Sequence, residues 1–298
     1  MLCRARNTLN SGALTPHEIA WQHPDTEATD QAMPYTDQER DEIERSALEA
    51  AHLDQSFTPN LQNIQRYLNP PADAAFALEY AFFLLGDVRG LTVLDYGCGS
   101  GADAVLLAAR GASVIGVDIS PHLIEIARKR AAAYRFPIEF RAASAYDMGL
   151  PDASVDVVFS HAILHHLDLP AARREIQRVL KPGGLLIILE PVRDSEFVAR
   201  VRRWIPYKRA FVSHNEAPLK AEQLDVFCAG MQCEAVKRFR LPLVAVAQLF
   251  GPRVGRPAQR LDRWLLKTFP ALAYYATNEV RKLRANPGLT SKARTGNS

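Results

Sequence analysis

The sequence contains little cysteine and no long hydrophobic run. Its four cysteines, Cys3, Cys98, Cys228 and Cys233, form no CxxC pair and no spacing typical of a metal site. No apolar segment approaches the ~20 residues that a membrane-spanning helix needs. The N-terminus lacks the apolar core and small-residue cleavage site of a secretory signal. We therefore expect a cytoplasmic protein with reduced thiols.

Charge is unevenly distributed along the chain, although the formal net charge is only +3. Residues 1–191 hold 16 Lys and Arg against 25 Asp and Glu, whereas residues 192–298 hold 20 against 8. The basic part is compatible with an anionic substrate, with weak contact to an anionic membrane surface, or with a solvated surface that binds nothing. No dense patch of basic and aromatic residues is present, so we expect no nucleic-acid partner.

Apolar periodicity changes several times along the chain. A capping box at Thr36 and Glu39 predicts the start of a helix, and two further helical segments follow it. The predicted parts are a disordered tail (1–34), an N-terminal helical lid (35–89), a Rossmann-like cofactor-binding core (90–192), a basic helical cap with the remaining strands (193–285) and a loose tail (286–298).

Short β-branched runs alternate with helical segments from Leu91 to Glu190. This alternation predicts a parallel sheet with helices on both faces, and right-handed crossovers make it doubly wound. The segment MQCEAVKRFRL (231–241) predicts a further strand, and YYATNEVRKLR (274–284) predicts a late strand at the sheet edge. The fold class is therefore α/β, with an N-terminal helical extension and a C-terminal helical cap.

A glycine-rich turn joins the first predicted strand to the next helix in VLDYGCGSGADAVLLAARGASVIGVDIS (93–120). Gly97, Gly99 and Gly101 lack the Cβ atoms that would block a ligand, and the helix that follows offers unpaired N–H groups. Asp118 ends the second strand, where a carboxylate can accept both hydroxyls of a ribose. The pattern indicates a nucleoside-like ligand.

Two ligand classes fit this turn. The run from Gly97 to Ala102 satisfies the G-x-G-x-x-G/A pattern of dinucleotide sites, which favours an NAD(P)-dependent oxidoreductase. S-adenosylmethionine also fits, because its ammonium group needs an acid nearby and Asp95 precedes the first glycine by two residues. In a dinucleotide site that acid would face the pyrophosphate, which is unfavourable.

The motif VLDYGCGSG resembles the first motif of the class I S-adenosylmethionine-dependent methyltransferases. Three later segments resemble the motifs that follow it in that family: VIGVDIS, FRAASAYDMGLPDASVDVVFSHAILHHL and EIQRVLKPGGLLIILEPV. All four occur in order over about Leu91–Val192. The resemblance implies a type 11-like domain with a mainly parallel, seven-stranded sheet, using S-adenosyl-L-methionine and releasing S-adenosyl-L-homocysteine.

The same resemblance implies cofactor-binding roles for residues at matching positions. Many relatives carry Asp where Ser144 stands, and a serine hydroxyl binds the adenine amino group more weakly. The implied residues are Gly97, Gly99 and Gly101 around the methionine part, Asp95 beside its amino group, Asp118 at the ribose, Ile119, Ser144, Ala145 and Tyr146 around the adenine, and Ser160 at the methyl group.

Three histidines, His161, His165 and His166, follow the fourth predicted strand. No H-E-x-x-H pattern accompanies them, so we expect no metal. If the methyl acceptor is a hydroxyl, a general base has to remove its proton, and His165 is the first candidate and His161 the second. A carboxylate or free amine needs no strong base, so the acceptor atom stays open among O, N and C.

The sequence therefore predicts methylation of a small molecule, with an anionic or lipid-like acceptor suiting the basic cap. The [DN]-P-P-[YFW] signature of nucleobase amino methylation is absent after the fourth strand, where SHAI stands. An NAD(P)-dependent oxidoreductase and a non-catalytic S-adenosylmethionine-binding protein are the alternatives. No oligomeric state is indicated.

Overall fold

The computed structural model describes residues 35–53, 57–204, 218–242 and 252–287, together with Val244 and Ala247. Seven strands form one sheet in the order β3-β2-β1-β4-β5-β7-β6. Strands β1 to β5 pair in parallel, and β7 runs antiparallel to both β5 and β6. The strands are β1 (Thr92–Tyr96), β2 (Ser113–Asp118), β3 (Glu139–Ala142), β4 (Val155–His161), β5 (Leu180–Pro191), β6 (Gln232–Phe239) and β7 (Asn278–Arg284).

The doubly wound, seven-stranded sheet confirms the predicted fold class. The prediction that residues 274–284 form an edge strand is wrong, because β7 lies between β5 and β6. Val280 and Leu283 are fully buried there. Glu279 and Arg281 are also buried, and they neutralise each other across 2.5 Å. The charged residues Glu279 and Arg281 suggested an edge strand, but they form an ion pair inside the sheet.

Nine longer helices are present in the described residues. The capping box at Thr36 and Glu39 is confirmed at the first of them. The third begins at Ala77. The helices are α1 (Asp37–His52), α2 (Leu61–Leu68), α3 (Ala77–Leu85), α4 (Ala102–Ala109), α5 (Pro121–Tyr134), α6 (Leu169–Val179), α7 (Glu196–Trp204), α8 (Ala221–Cys228) and α9 (Pro252–Thr268).

The core lies on both faces of the sheet. On one face Phe82 of α3 and Leu107 of α4 pack against Phe159 of β4. On the other face Ile176 of α6 and Phe227 of α8 belong to a second buried cluster. Because helices cover both faces of the sheet, the strands are buried on both sides, and their sequences are nearly continuously apolar.

The predicted tail at 1–34, most of the tail at 286–298 and part of the basic cap lie outside the described residues. Among the helices that the structure describes, none is long and apolar enough to cross a bilayer.

Candidate functional site

A first cavity opens at the carboxyl ends of β1 and β2, where doubly wound sheets bind their ligands. It encloses about 540 Å³, part of it open to solvent. Helix α1 supplies part of the wall, and the glycine turn and the segment after β3 supply the rest. The residues around it are Gln38, Glu39, Glu42, Tyr96, Gly97, Val117, Asp118, Ile119, Ala143, Ala145, Tyr146, Ile163, His166 and Leu167.

Backbone atoms of the glycine turn border this cavity. Gly97 has φ +74°, and a Cβ atom there would lie 2.7 Å from Ile163 Cγ1. A Cβ at Gly99, by contrast, would meet no atom within 4 Å. Gly101 has φ +75° and abuts Ala127 of α5, so its small size serves packing. Open space at Gly99 is therefore the place where a ligand can approach the backbone.

Asp118 stands at the end of β2 and lines the first cavity. Its Oδ2 accepts the N–H of Gly99 at 2.9 Å, and its Oδ1 accepts the N–H of Ser120 at 2.9 Å. Burial raises the pKa of Asp118, although these two N–H donors oppose the rise. Each oxygen keeps a lone pair, so the carboxylate is held in place and can still accept two hydroxyl groups.

Asp95 and Ser160 leave polar atoms unsatisfied behind the glycine turn. Among the described residues, Asp95 Oδ2 and Ser160 Oγ are buried without a hydrogen-bond partner. Burial raises the pKa of Asp95 well above its ordinary value, and the charges of Asp103 and Asp118 raise it further, while the Ala104 N–H opposes the shift. A buried, unpartnered carboxylate next to two others is a place for a cationic ligand group.

Residues after β2 and β3 form the opposite wall of the first cavity. Ile119, Ala145 and Tyr146 line it directly. Tyr96 donates its hydroxyl to the Ala145 carbonyl at 2.9 Å, which fixes that segment. Ser144 is bonded instead to Glu39 of α1, at 2.5 Å. The sequence indicates Glu39 only as a capping residue, because nothing local reveals a contact across 105 positions.

His161 and Asp103 form a hydrogen-bonded pair between β4 and α4. His161 Nδ1 lies 2.6 Å from Asp103 Oδ2, and about a third of the His161 side chain (35%) is exposed. Burial alone would lower the pKa of His161, but the bond to Asp103, its charge and that of Glu190 raise it overall. With Nδ1–H donated to the carboxylate, Nε2 carries the lone pair of a base. Asp103 stands only two residues after Gly101, but no local pattern marks it as the partner of His161.

A second cavity of about 740 Å³ lies on the other side of His161. Its apolar residues include Tyr67, Phe76 and Phe239, and Arg66, Arg240 and Asp262 add charged groups. No described residue lines both cavities, but His161 of the second is separated from Ile163 of the first by one residue. The histidine therefore stands where the two cavities approach each other.

His165 and His166 have different surroundings from His161. His165 Nδ1 bonds Glu190 Oε2 at 2.9 Å, and Oε1 of the fully buried Glu190 accepts the N–H of Ile163 and of Leu164. His165 lines neither of the two cavities. His166 lines the first cavity, where burial, together with the charges of His165 and Arg45, lowers its pKa to about 3. The geometry thus favours His161 over His165 as a base.

Comparison with known families agrees with this geometry. Residues 94–188 match the family model described as a methyltransferase domain. The chain contains a class I S-adenosylmethionine-dependent methyltransferase domain. This domain covers the glycine turn, Asp118, Ser144 and His161, and it favours methyl transfer over the dinucleotide alternative.

Curated relatives of the methyltransferase domain act on different acceptors. The chain is 37% identical over 117 residues to demethylmenaquinone methyltransferase of Tropheryma whipplei, covering 39% of this chain and 48% of that protein. It is 35% identical over 153 residues to malonyl-[acyl-carrier protein] O-methyltransferase of Serratia marcescens, covering 51% and 57%. The chain thus spans about half the length of these relatives.

Solved structures share the fold over most of the chain. Geranyl diphosphate C-methyltransferase from Streptomyces coelicolor A3(2) aligns with TM-score 0.54 at 16% identity, covering 84% of this chain and 99% of that one. The [4+2]-cyclase SpnF aligns with TM-score 0.53 at 19% identity, covering 85% and 97%. These likenesses concern the fold alone.

Proposed function

We propose that this chain transfers a methyl group from S-adenosylmethionine to a small molecule held in the second cavity. The observation that carries the proposal is the His161–Asp103 pair, which stands between that cavity and the glycine turn. The apolar residues of that cavity suit an apolar acceptor, and its charged lining is mixed, because Arg66 pairs with Glu79 and Asp262 lies beside Arg240. Methyl transfer needs no metal.

Three groups at the carboxyl ends of β1 and β2 fit the cofactor, and of these Asp118 lines the first cavity, whereas Gly99 and Asp95 do not. Asp118 offers two accepting oxygens to a ribose, and the open space at Gly99 admits a ligand against the backbone. The unpartnered Asp95 Oδ2 fits an ammonium group. When bound, S-adenosylmethionine supplies a methyl group already activated by its sulfonium charge.

His161 has the geometry of a general base for a hydroxyl acceptor. Asp103 holds its Nδ1–H, which leaves Nε2 to take the acceptor proton as the oxygen–methyl bond forms and the sulfur–methyl bond breaks. The imidazolium that results is stabilised by the Asp103 carboxylate. The apolar residues Tyr67, Phe76 and Phe239 of the second cavity would pack against the acceptor beside His161.

Calorimetric titration with S-adenosylmethionine, S-adenosylhomocysteine and NADH tests the proposal. We expect the wild type to bind both adenosyl ligands and not NADH. Asp118→Ala removes the two accepting oxygens, so the Kd should rise at least tenfold, about 1.4 kcal/mol. The matched control is Asp87→Ala, an exposed carboxylate that pairs only with its neighbour Arg89 in the described contacts.

The same protein is then assayed with labelled S-adenosylmethionine against phenols, hydroxy acids and amines. Labelled product confirms a methyltransferase. NADH binding, or no adenosyl binding to protein stripped of ligand, contradicts the proposal. Tight adenosyl binding without product across the panel favours the non-catalytic alternative.

A further inference from the structure

Helix α9 presents basic side chains to solvent along one face. Its sequence, PRVGRPAQRLDRWLLKT, holds five Lys and Arg against a single Asp. Arg260, Arg263 and Lys267 follow one another at intervals of three and four residues, so they share a face of the helix. All three are exposed, and Arg263 forms an ion pair with Asp73 at 2.9 Å. Because one carboxylate stands against three cations, this basic stripe (Arg260, Arg263, Lys267) keeps a net positive charge.

The single acidic residue of α9 lies on the opposite, inner side of the helix. Asp262 is buried, and its carboxylate accepts the N–H of Arg240 at 3.2 Å and the N–H of Leu241 at 2.7 Å. Its negative charge is therefore turned towards the fold. The charged side chains that the structure describes on the outer side of α9 are all cations.

Exposed apolar side chains lie beside the basic stripe. Leu261 and Trp264 each follow an arginine of the stripe, and they are 46% and 55% exposed. Phe269 comes directly after the helix, is 50% exposed and meets the Trp264 ring edge-on, with 6.0 Å between the centroids. One exposed leucine is ordinary on a protein surface, but an apolar row (Leu261, Trp264, Phe269) next to cations is typical of a helix that lies in a lipid interface.

We propose that α9 docks this chain on an anionic lipid surface, with the apolar row among the headgroups and the basic stripe against the lipid phosphates. Trp and Phe side chains are favoured at the level of the headgroups, and Lys and Arg beside them attract anionic lipids. Each Lys or Arg near such a surface raises the partition coefficient about fivefold, the equivalent of about 1 kcal/mol.

A second copy of the chain fits this face less well than an anionic surface does. A twofold interface would place the same patch on both partners, so the two basic stripes would meet each other. Like charges brought together in an interface oppose association. An anionic lipid surface, by contrast, neutralises the basic stripe and also buries the apolar row.

Docking through α9 also places the lipid surface near the second cavity. Gln259 and Asp262 of this helix line that cavity, and a helix with its side chains is about 10–12 Å across. An apolar acceptor dissolved in the bilayer would therefore be about one helix diameter from the cavity. This consequence rests on the proposed function, whereas the docking itself does not.

Flotation of the purified full chain with vesicles tests the docking. The vesicles consist of phosphatidylcholine alone or of phosphatidylcholine mixed with phosphatidylglycerol, and we expect at least tenfold stronger partition to the anionic mixture. The variant Trp21→Phe with Trp204→Phe keeps Trp264 as its only tryptophan. Brominated lipid chains should quench the fluorescence of Trp264 in this variant when it is bound to the anionic vesicles.

Two pairs of variants separate α9 from the rest of the surface. Arg260→Gln with Lys267→Gln should weaken partition to anionic vesicles at least tenfold. Its matched control is Lys129→Gln with Arg174→Gln, which removes two exposed basic residues from α5 and α6 and should bind as the wild type does.

The second pair tests the apolar row. Leu261→Gln should weaken partition severalfold, whereas the same substitution at the exposed Leu61 of α2 should not. Circular dichroism and thermal unfolding verify that each variant is folded.

Equal partition to both kinds of vesicle, or partition to neither, overturns this inference and leaves the proposed function intact. An equal loss in the two charge variants, or bound protein whose Trp264 is not quenched, also overturns it. Sedimentation velocity provides the last comparison. A dimer that Leu261→Gln dissociates, in a chain that does not bind vesicles, would assign this face to a second copy and contradict the docking.

Discussion

At the scale of single residues, Asp95 combines burial with an unpartnered oxygen. Because its pKa in the folded chain is raised above the unfolded value, the ionised form is disfavoured in the fold. Stability is therefore lost as the pH rises above the unfolded pKa, and at neutral pH the carboxylate destabilises the ligand-free protein. The ligand that pairs with it compensates for this loss.

We predict that Asp95→Asn raises the Tm of the ligand-free protein by a few degrees at pH 7.5 and raises the Kd of S-adenosylmethionine at least tenfold, about 1.4 kcal/mol. The Tm gain should shrink as the pH falls towards the unfolded pKa, because the loss of stability that comes from Asp95 is then smaller. Differential scanning calorimetry at both pH values, with titration at pH 7.5, checks this. A lower Tm at pH 7.5 would contradict the account of Asp95.

The protonation of His161 predicts how the rate of methyl transfer depends on pH. Its pKa is raised by Asp103, so it should titrate above the ordinary value of about 6.5. Methyl transfer to a hydroxyl should rise with pH as His161 loses its proton. Asp103→Asn should lower the imidazole pKa, and His161→Ala should slow transfer by roughly 10²-fold or more.

Two-dimensional NMR of the histidine ring signals measures the His161 pKa without any acceptor, and initial rates against pH measure its role. His122→Ala, on the exposed side of α5, is the control and should leave both unchanged. If His161→Ala transfers methyl groups at the wild-type rate, His161 is not the general base. Activity would then indicate an acceptor that needs no base.

At the scale of elements, α1 connects the region before the domain to the first cavity. Its capping box orders the first turn, and that turn carries Gln38 and Glu39 to the cavity wall. Gln38 Nε2 also donates to the His166 carbonyl at 2.5 Å, which joins α1 to the loop after β4. Ala50 packs against Leu123 and Ile126 of α5.

We predict that Thr36→Ala weakens the start of α1 by about 1 kcal/mol and thereby weakens S-adenosylhomocysteine binding. Hydrogen exchange should accelerate in residues 35–53, with little change in the sheet. The matched control is Asn60→Ala, which removes an N-cap of the same kind from α2. The control should leave adenosyl binding unchanged, because α2 contributes no described residue to the first cavity. Equal loss in both variants would argue against a specific role of α1.

At the scale of the whole molecule, β7 carries charges inside the sheet. Glu279 is 1% exposed and bonds Arg238 at 2.7 Å and Arg281 at 2.5 Å. Arg281 also pairs with Asp225 of α8 at 2.7 Å. These contacts link the two antiparallel strands to the helix layer beside them.

We predict that Glu279→Gln lowers the free energy of unfolding by about 1–3 kcal/mol, because Arg238 and Arg281 then keep only Asp194 and Asp225 as their counter-charges. Glu234→Gln, which removes a carboxylate from a more exposed pair on β6, should cost less than about 1 kcal/mol. Urea unfolding of both variants gives the comparison. Similar losses would mean that the β7 network behaves as a surface network.

The parallel half of the sheet and most of the cofactor site could be predicted from the sequence, because their signals are local. β-branched runs predict β1 to β5, and the glycine turn with Asp118 indicates the ligand site. The position of β7 and the Glu39–Ser144 bond could not be predicted in this way. Both depend on contacts between residues far apart in the chain, and neither the strand order nor the partner of a capping glutamate has a local signal.

The place of β7 between β5 and β6 also has a consequence for synthesis on the ribosome. β6 ends at Phe239, yet its hydrogen-bonding partner begins at Asn278. At about 5–20 residues per second, β6 leaves the ribosomal exit tunnel roughly 2–8 s before β7 begins to emerge. During that interval β5 has an open edge and β6 has nothing to pair with. A nascent chain of this protein is therefore most exposed to wrong strand pairing late in translation, after its cofactor-binding half has already been made.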